Sequence, residues 1–308
     1  MADSIADQDS LTRFLIAGAG VRGVRVHLDR TWAQIRERAD DASGRPPPAA
    51  AIELLGEATV ASALFTAHAK VEGRLSVQLK GKGALRTLFA ECTAAGTLRA
   101  IAQLADDDAP MSRDLRELGP EALLAITVEN PGSASREPMR YQGLVALQSD
   151  SLSEAFEDYF RQSEQLPTRL LLVADGAQAA GLMLQKLPQD SGDEEGWIRA
   201  GALFDTLDPS ELLDLSAATL LHRLFHEDGV QVLDSRSLRF ACSCSRERVE
   251  AMLQSLGEAE AMAAATGRGG EAEIRCEFCG QRYCFSVAEV DALFTGLGRP
   301  MTAPDRLQ

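Results

Sequence analysis

Four of the six cysteines in this 308-residue chain stand in two tight pairs. Cys242 and Cys244 form a C-x-C pair, and Cys276 and Cys279 form a C-x-x-C pair 31 residues further on. Thiolate sulfur suits zinc in tetrahedral geometry, and four protein sulfurs leave no open position, so such a site is structural rather than catalytic. Each close pair brings two donors together at small loop-closure cost. The same closeness lets a pair close on itself once one thiolate has become a sulfenic acid. Spacing alone favours metal over a catalytic dithiol, and a permanent zinc ribbon over a redox switch. The expected ligands are Cys242, Cys244, Cys276 and Cys279, holding one Zn2+ per chain in the reduced form, with no catalytic residue.

The elements that must position these sulfurs are short. Ser245 follows the first pair and is placed to cap a helix over 246–256, whose end amides would favour ionised thiolates. Arg246 and Arg248 add positive charge there. A module this small, with few large apolar residues, is expected to depend on its metal to fold.

The rest of the chain supplies a core. Alternation and apolar runs predict strands over 22–29, 74–80, 85–93, 97–104, 122–129, 141–148, 169–174 and 181–187. Helices are predicted over 32–39, 49–70 and 151–165. After a polar break at 188–195 the pattern turns helical over 197–207, 209–215 and 217–226, followed by short strands at 230–233 and 238–241. Runs of strands broken by a few helices indicate α+β. The expected fold is a mixed α/β core domain with antiparallel-rich sheets (1–187), a helical linker (188–236), a small C-terminal zinc-binding domain (237–298) and a tail (299–308).

Charge narrows the partners. The chain carries a formal net charge of −15, with 45% apolar and 25% charged residues. Between Phe240 and Val290 there are five Arg and eight Asp or Glu, so the cysteine module lacks the basic face of a nucleic-acid reader. Neither nucleic acid nor a membrane is an expected partner. No apolar run is expected to match the ~20 residues that span a bilayer. The acidic opening Met1-Ala2-Asp3-Ser4 lacks the features of a secretory signal, so a cytoplasmic location is expected. Thiols there stay reduced.

Other signals are weaker. Gly18-Ala19-Gly20-Val21-Arg22-Gly23 fits G-x-G-x-x-G, but a strand follows where the phosphate-binding helix should begin, so a glycine-rich bend is the better reading. His222 and His226 stand at i and i+4 without an evident third ligand; Glu157 and Asp158 read as a solvated helix face. Cys92 is expected in the core, and Cys284, between Tyr283 and Phe285, as a core residue or a competitor for disulfide pairing.

With these residues laid out, the chain resembles the bacterial redox-regulated 33-kDa heat-shock chaperone family over nearly its whole length. The carriers are Cys242-Ser243-Cys244-Ser245-Arg246-Glu247-Arg248, Cys276-Glu277-Phe278-Cys279-Gly280, and Glu157-Asp158-Tyr159-Phe160 with Ser163-Glu164-Gln165-Leu166-Pro167-Thr168-Arg169. Val21-Arg22-Gly23 and Leu224-Phe225-His226-Glu227 add to them. The resemblance implies an ATP-independent holdase, not an enzyme, that is silent while zinc sits on four thiolates. It implies disulfides Cys242–Cys244 and Cys276–Cys279 under oxidant and unfolding stress, zinc release, and unfolding of a metastable linker. It further implies unfolding client proteins as partners, a homodimer when oxidised, and ATP-dependent folding chaperones downstream. Cys284 departs from the family pattern, which has an apolar residue there, and Cys92 is not one of its switch thiols. The rival reading is a protein-interaction module with a constitutive zinc ribbon; a dithiol oxidoreductase is disfavoured because the C-x-x-C lacks a thioredoxin-like setting.

Overall fold

Alternating apolar residues generate two sheets, and a predominantly apolar helix fills the space between them. The computed structural model describes residues 9–43, 47–69, 71–105, 111–119, 121–132, 137–187, 194–267 and 270–295. The chain divides into two compact units, Met1–Ala241 and Cys242–Gln308.

The first unit begins with β1 (Ser10–Ile16), β2 (Val21–Leu28), α1 (Arg30–Ser43) and α2 (Ala49–His68). Strands β3 (Arg74–Lys80), β4 (Leu85–Thr93), β5 (Thr97–Leu104), β6 (Leu123–Asn130) and β7 (Met139–Val145) follow, then α3 (Leu152–Gln162), β8 (Thr168–Ala174) and β9 (Ala179–Lys186). Three helices, α4 (Glu194–Phe204), α5 (Pro209–Asp214) and α6 (Ala217–Phe225), lead to β10 (Val230–Ser237) and β11 (Arg239–Phe240). One sheet has the order β10-β1-β2-β9-β8 and is antiparallel throughout. The other has the order β11-β5-β4-β3-β6-β7, antiparallel except for the parallel β11–β5 pair. The expected α+β class with antiparallel-rich sheets is the observed one.

Helix α2 packs on β2, β8 and β9 of the first sheet and on β3, β4 and β5 of the second. Burial on both sides explains why it is apolar all round. It is long and apolar enough to cross a membrane by length and composition, a match the sequence reading did not anticipate, yet 78% of that stretch lies buried inside the protein. Its polar residues find partners, as buried groups must. Thr59, Ser62 and Thr66 donate to carbonyls of Leu55, Thr59 and Ser62, each at 2.7 Å. Glu57 pairs with Arg113; burial nevertheless pushes its carboxyl up to about 7.

The other face of the first sheet presents Phe14, Ile16, Val21, Leu182 and Leu184, covered by Phe204, Leu212, Leu220, Leu224 and Phe225 of α4–α6. Gly23 lies on that face, where an added Cβ would meet the Phe14 ring at 2.1 Å. Close packing under an aromatic ring, together with the left-handed Gly20 (φ 60°), accounts for the glycine pattern without any phosphate. Residues 194–236, the described part of the expected linker, belong to this unit, and β10 completes its sheet by pairing with β1. Of the expected break at 188–195, residues 188–193 fall outside the described residues, as does the tail at 299–308, while Glu194 and Glu195 already form the first turn of α4.

The second unit holds α7 (Arg246–Leu256), α8 (Glu258–Thr266), the hairpin β12 (Glu271–Arg275) and β13 (Arg282–Ser286), and α9 (Val287–Thr295). Its core is small: Val249, Leu253, Ala261, Ala265, Ala272, Phe285 and Val290.

Candidate metal centre

The two cysteine pairs sit on turns beside regular elements of the second unit. Cys242 and Cys244 lie on the segment entering α7, whose first turn is capped by Ser245: its hydroxyl accepts the Arg248 N–H at 3.3 Å. Arg248 also donates to the carbonyl and hydroxyl of Ser243, each at 2.8 Å, which ties down the residue between the two sulfurs. The second pair occupies the turn from β12 to β13. There Cys276 N–H donates to the Gln281 carbonyl at 2.9 Å and Gly280 N–H to the Cys276 carbonyl at 2.8 Å. Gly280 takes φ +70°, a backbone conformation that a glycine adopts without cost.

These turns bring all four expected sulfurs to within 4.8 Å of one another. Cys242 Sγ lies 3.6 Å from Cys276 Sγ, and Cys244 Sγ lies 3.3 Å from Cys279 Sγ. Zinc–sulfur bonds of about 2.3 Å in a tetrahedron set sulfur separations of about 3.8 Å, so this donor set suits such a cation in size and chemistry. Electrostatics points the same way. Burial raises the Cys279 thiol, and neighbouring Cys244, Cys276 and Cys242 raise it further, against a backbone hydrogen bond from Gln281 that lowers it. Four adjacent sulfurs resist simultaneous ionisation unless a cation sits among them.

Arg246 fastens the frame. Its guanidinium lies 4.1 Å from the Phe285 ring centroid, donates to the Cys284 carbonyl at 3.1 Å, and pairs with Glu289 at 2.7 Å and Glu250 at 3.3 Å. One side chain thereby joins α7, β13 and α9. Tyr283 adds a contact of another kind: its hydroxyl donates to Cys244 Sγ at 3.2 Å. The sequence reading passed over Tyr283. The usable signal was strand alternation, which places Tyr283 and Phe285 on one face of β13 and turns Cys284 to the other.

The remaining candidates stay apart from this centre. Cys284 is exposed and outside the sulfur cluster, so it is not a core residue. Cys92 is fully buried in the first unit, as expected, and burial pushes its thiol up to about 12. His222 on α6 and His226 just past its end are both exposed, and His226 Nδ1 lies 2.9 Å from the His222 carbonyl. His27 and His68 are fixed inside the first unit, His68 by a hydrogen bond from Arg22 at 3.0 Å. Glu157 corrects the expectation of a solvated face: its carboxylate accepts the Leu170 N–H at 2.6 Å, while Ser153 accepts the Leu172 N–H at 3.0 Å. Together they cap the free edge of β8, and Asp158 instead pairs with Arg161.

Comparison with known proteins converges on one family. The family model described as Hsp33 protein matches residues 9–286. A 33 kDa chaperonin of Ectopseudomonas mendocina is 40% identical over 295 residues, spanning 94% of this chain and 96% of that one. A 33 kDa chaperonin of Azotobacter vinelandii is 39% identical over 299 residues, covering 96% and 97%. In fold, the chain is similar to the crystal structure of a 33 kDa chaperonin, a heat shock protein 33 homologue, from Thermotoga maritima. The TM-score is 0.73 at 21% identity, over 93% of this chain and 98% of that one.

Proposed function

The chain belongs to the Hsp33 family of chaperones, and from that premise we propose that it is a redox-regulated, ATP-independent holdase of the cytoplasm. The observation that carries this reading is the meeting of four cysteine sulfurs within 4.8 Å. Cys242, Cys244, Cys276 and Cys279 are its zinc ligands and its switch. Zinc, when bound there, supplies a fourfold cross-link that the small core around Phe285 does not provide by itself.

In the proposed cycle, oxidant converts the ligands to the disulfides Cys242–Cys244 and Cys276–Cys279. Sulfurs so joined lose their negative charge and no longer hold a divalent cation. The zinc-binding domain (237–298) then melts, and unfolding spreads back into the linker (188–236) that precedes it. Helices α4–α6 bury only one apolar stripe, and α5 is six residues long, so they persist only while docked. Their departure uncovers Phe14, Ile16, Val21, Leu182 and Leu184, a broad apolar sheet face of the core domain (1–187) suited to exposed segments of unfolding clients. A net charge of −15 keeps such complexes soluble. The oxidised protein works as a homodimer and passes clients to ATP-dependent folding chaperones.

The test follows zinc release and suppression of a heat-unfolded client's aggregation in one sample, before and after peroxide at elevated temperature, then with thiol reductant restored. Zinc loss with a reversible gain of holdase activity is expected. Zinc retained with unchanged activity would establish the permanent ribbon instead.

A further inference from the structure

The Tyr283 hydroxyl reaches a sulfur, and the hairpin holds it there. Tyr283 faces Ile274 across the β12–β13 ladder, and two residues on, Phe285 is buried in the small core on the same face of the strand. The Tyr283 ring itself packs, half-buried, against that core, so swinging the phenol away would forfeit this contact. Its oxygen donates to Cys244 Sγ at 3.2 Å. Among the described residues, Cys244 also lies beside Cys279, at 3.3 Å. A hydrogen bond to an anionic sulfur is charge-assisted and draws electron density away from it.

We infer that Tyr283 is a brake on the cysteine centre: its hydrogen bond to Cys244 Sγ lowers the nucleophilicity of that sulfur and slows its reaction with peroxide. The inference rests on the zinc-thiolate reading above and deepens it, by naming what sets the oxidant threshold. The step itself is simple. A thiolate attacks one peroxide oxygen, the O–O bond breaks, hydroxide leaves and a sulfenic acid remains. A second thiolate displaces hydroxide from the sulfenic sulfur and forms the disulfide; two electrons pass from sulfur to peroxide. The nucleophile is the thiolate, so a donor at its lone pair raises the barrier to the first attack. Losing one hydrogen bond of ordinary net strength corresponds to about a three- to tenfold change in rate.

The decisive experiment uses the full zinc-loaded chain and Tyr283→Phe, which removes the hydroxyl and keeps the ring. Thiol consumption and zinc release are timed after addition of peroxide, and zinc release to a chelator is timed without peroxide. Acceleration of about three- to tenfold with peroxide, with little change under chelator alone, is the expected result. An unchanged or slower peroxide reaction overturns the brake, as does equal acceleration in both assays, which would mean that Tyr283 only stiffens the unit. If Tyr283→Phe fails to hold zinc, 3-fluorotyrosine at position 283 serves instead. As a stronger donor it slows peroxide consumption if the brake is real and leaves it unchanged if not. A wild-type chain that binds no zinc or resists peroxide would sink the underlying reading rather than the role of Tyr283.

Discussion

The two units solve the same problem with different means. In the first, α2 lies between two sheets, and Phe65 meets Phe156 and Phe160 edge-on with ring centroids 4.9 and 5.2 Å apart. In the second, the apolar core consists of a few small side chains around Phe285, and the strongest convergence of groups is four sulfurs. Burial of apolar surface is indifferent to oxidants, whereas thiolate ligation is not. If the four sulfurs are the proposed switch, the second unit can be lost while the first, held by apolar burial, remains.

Chelation should separate them most sharply. Removing the proposed zinc should cost the second unit about 10 kcal/mol or more of folding support, and Cys279→Ser, which leaves three of the four sulfurs, should weaken metal binding by less. Hydrogen exchange would then show protection lost across residues 246–295 and retained in α2. Uniform loss in both units would erase the contrast. The opposite experiment, Phe65→Ala, removes a fully buried ring and should destabilise the first unit by about 3–5 kcal/mol, read by denaturant unfolding, with zinc affinity unchanged.

A pH titration sharpens the comparison further. Burial raises Glu57 from 4.5 to about 7, so the unfolded chain releases this proton first as pH rises. Its contribution is present below 4.5 and is lost as pH climbs to 7, at most about 3 kcal/mol. His68 runs the other way: burial lowers it from 6.5 to about 3, so its contribution is present above 6.5 and lost as pH falls towards 3. Between 4.5 and 6.5 the two oppose each other, and from 6.5 to 7 the Glu57 slope stands alone. Glu57→Gln should flatten that slope in the unfolding of the first unit, measured through Trp32 and Trp197 fluorescence. A slope that survives the substitution would assign it elsewhere.

Smaller effects test the frame of the sulfur centre. Arg246→Ala should cost the second unit about 1 kcal/mol, mainly through its contact with Phe285, because its ion pairs are exposed. Cys284→Ser should leave zinc affinity unchanged in a chelator competition, since that thiol is exposed and lies outside the four-sulfur cluster proposed to hold the metal.

Much of this was legible in sequence. Strand β3 obeys simple alternation, and the helix after Ser245 begins where its capping chemistry requires. The sulfur cluster followed from spacing alone. What escaped was tertiary. Asp9 accepts the N–H groups of Asp29 and Thr31, each at 2.9 Å, a cap supplied from outside the helix it serves. Glu157 sits among polar neighbours on α3, so periodicity assigns it to solvent, and only the placement of β8 reveals its task. The alanine-rich α8 has no apolar stripe to announce it. Tyr283 reaches Cys244 through its hydroxyl, and no pattern of apolar residues reports where a phenol oxygen ends.

The pairing of β1 with β10 carries a consequence for how each copy is made. Ser10 faces Ser237 across that ladder, so β1 is synthesised more than two hundred residues before the strand it pairs with and waits for almost the last part of its unit. Until residues 194–237 have been translated, Phe14, Ile16 and Leu182 have no cover, and β1 offers a bare edge to its surroundings. Every newborn chain thus passes through the uncovered arrangement that oxidant is proposed to regenerate. The adult switch would be a return to an unfinished stage of the protein's own synthesis.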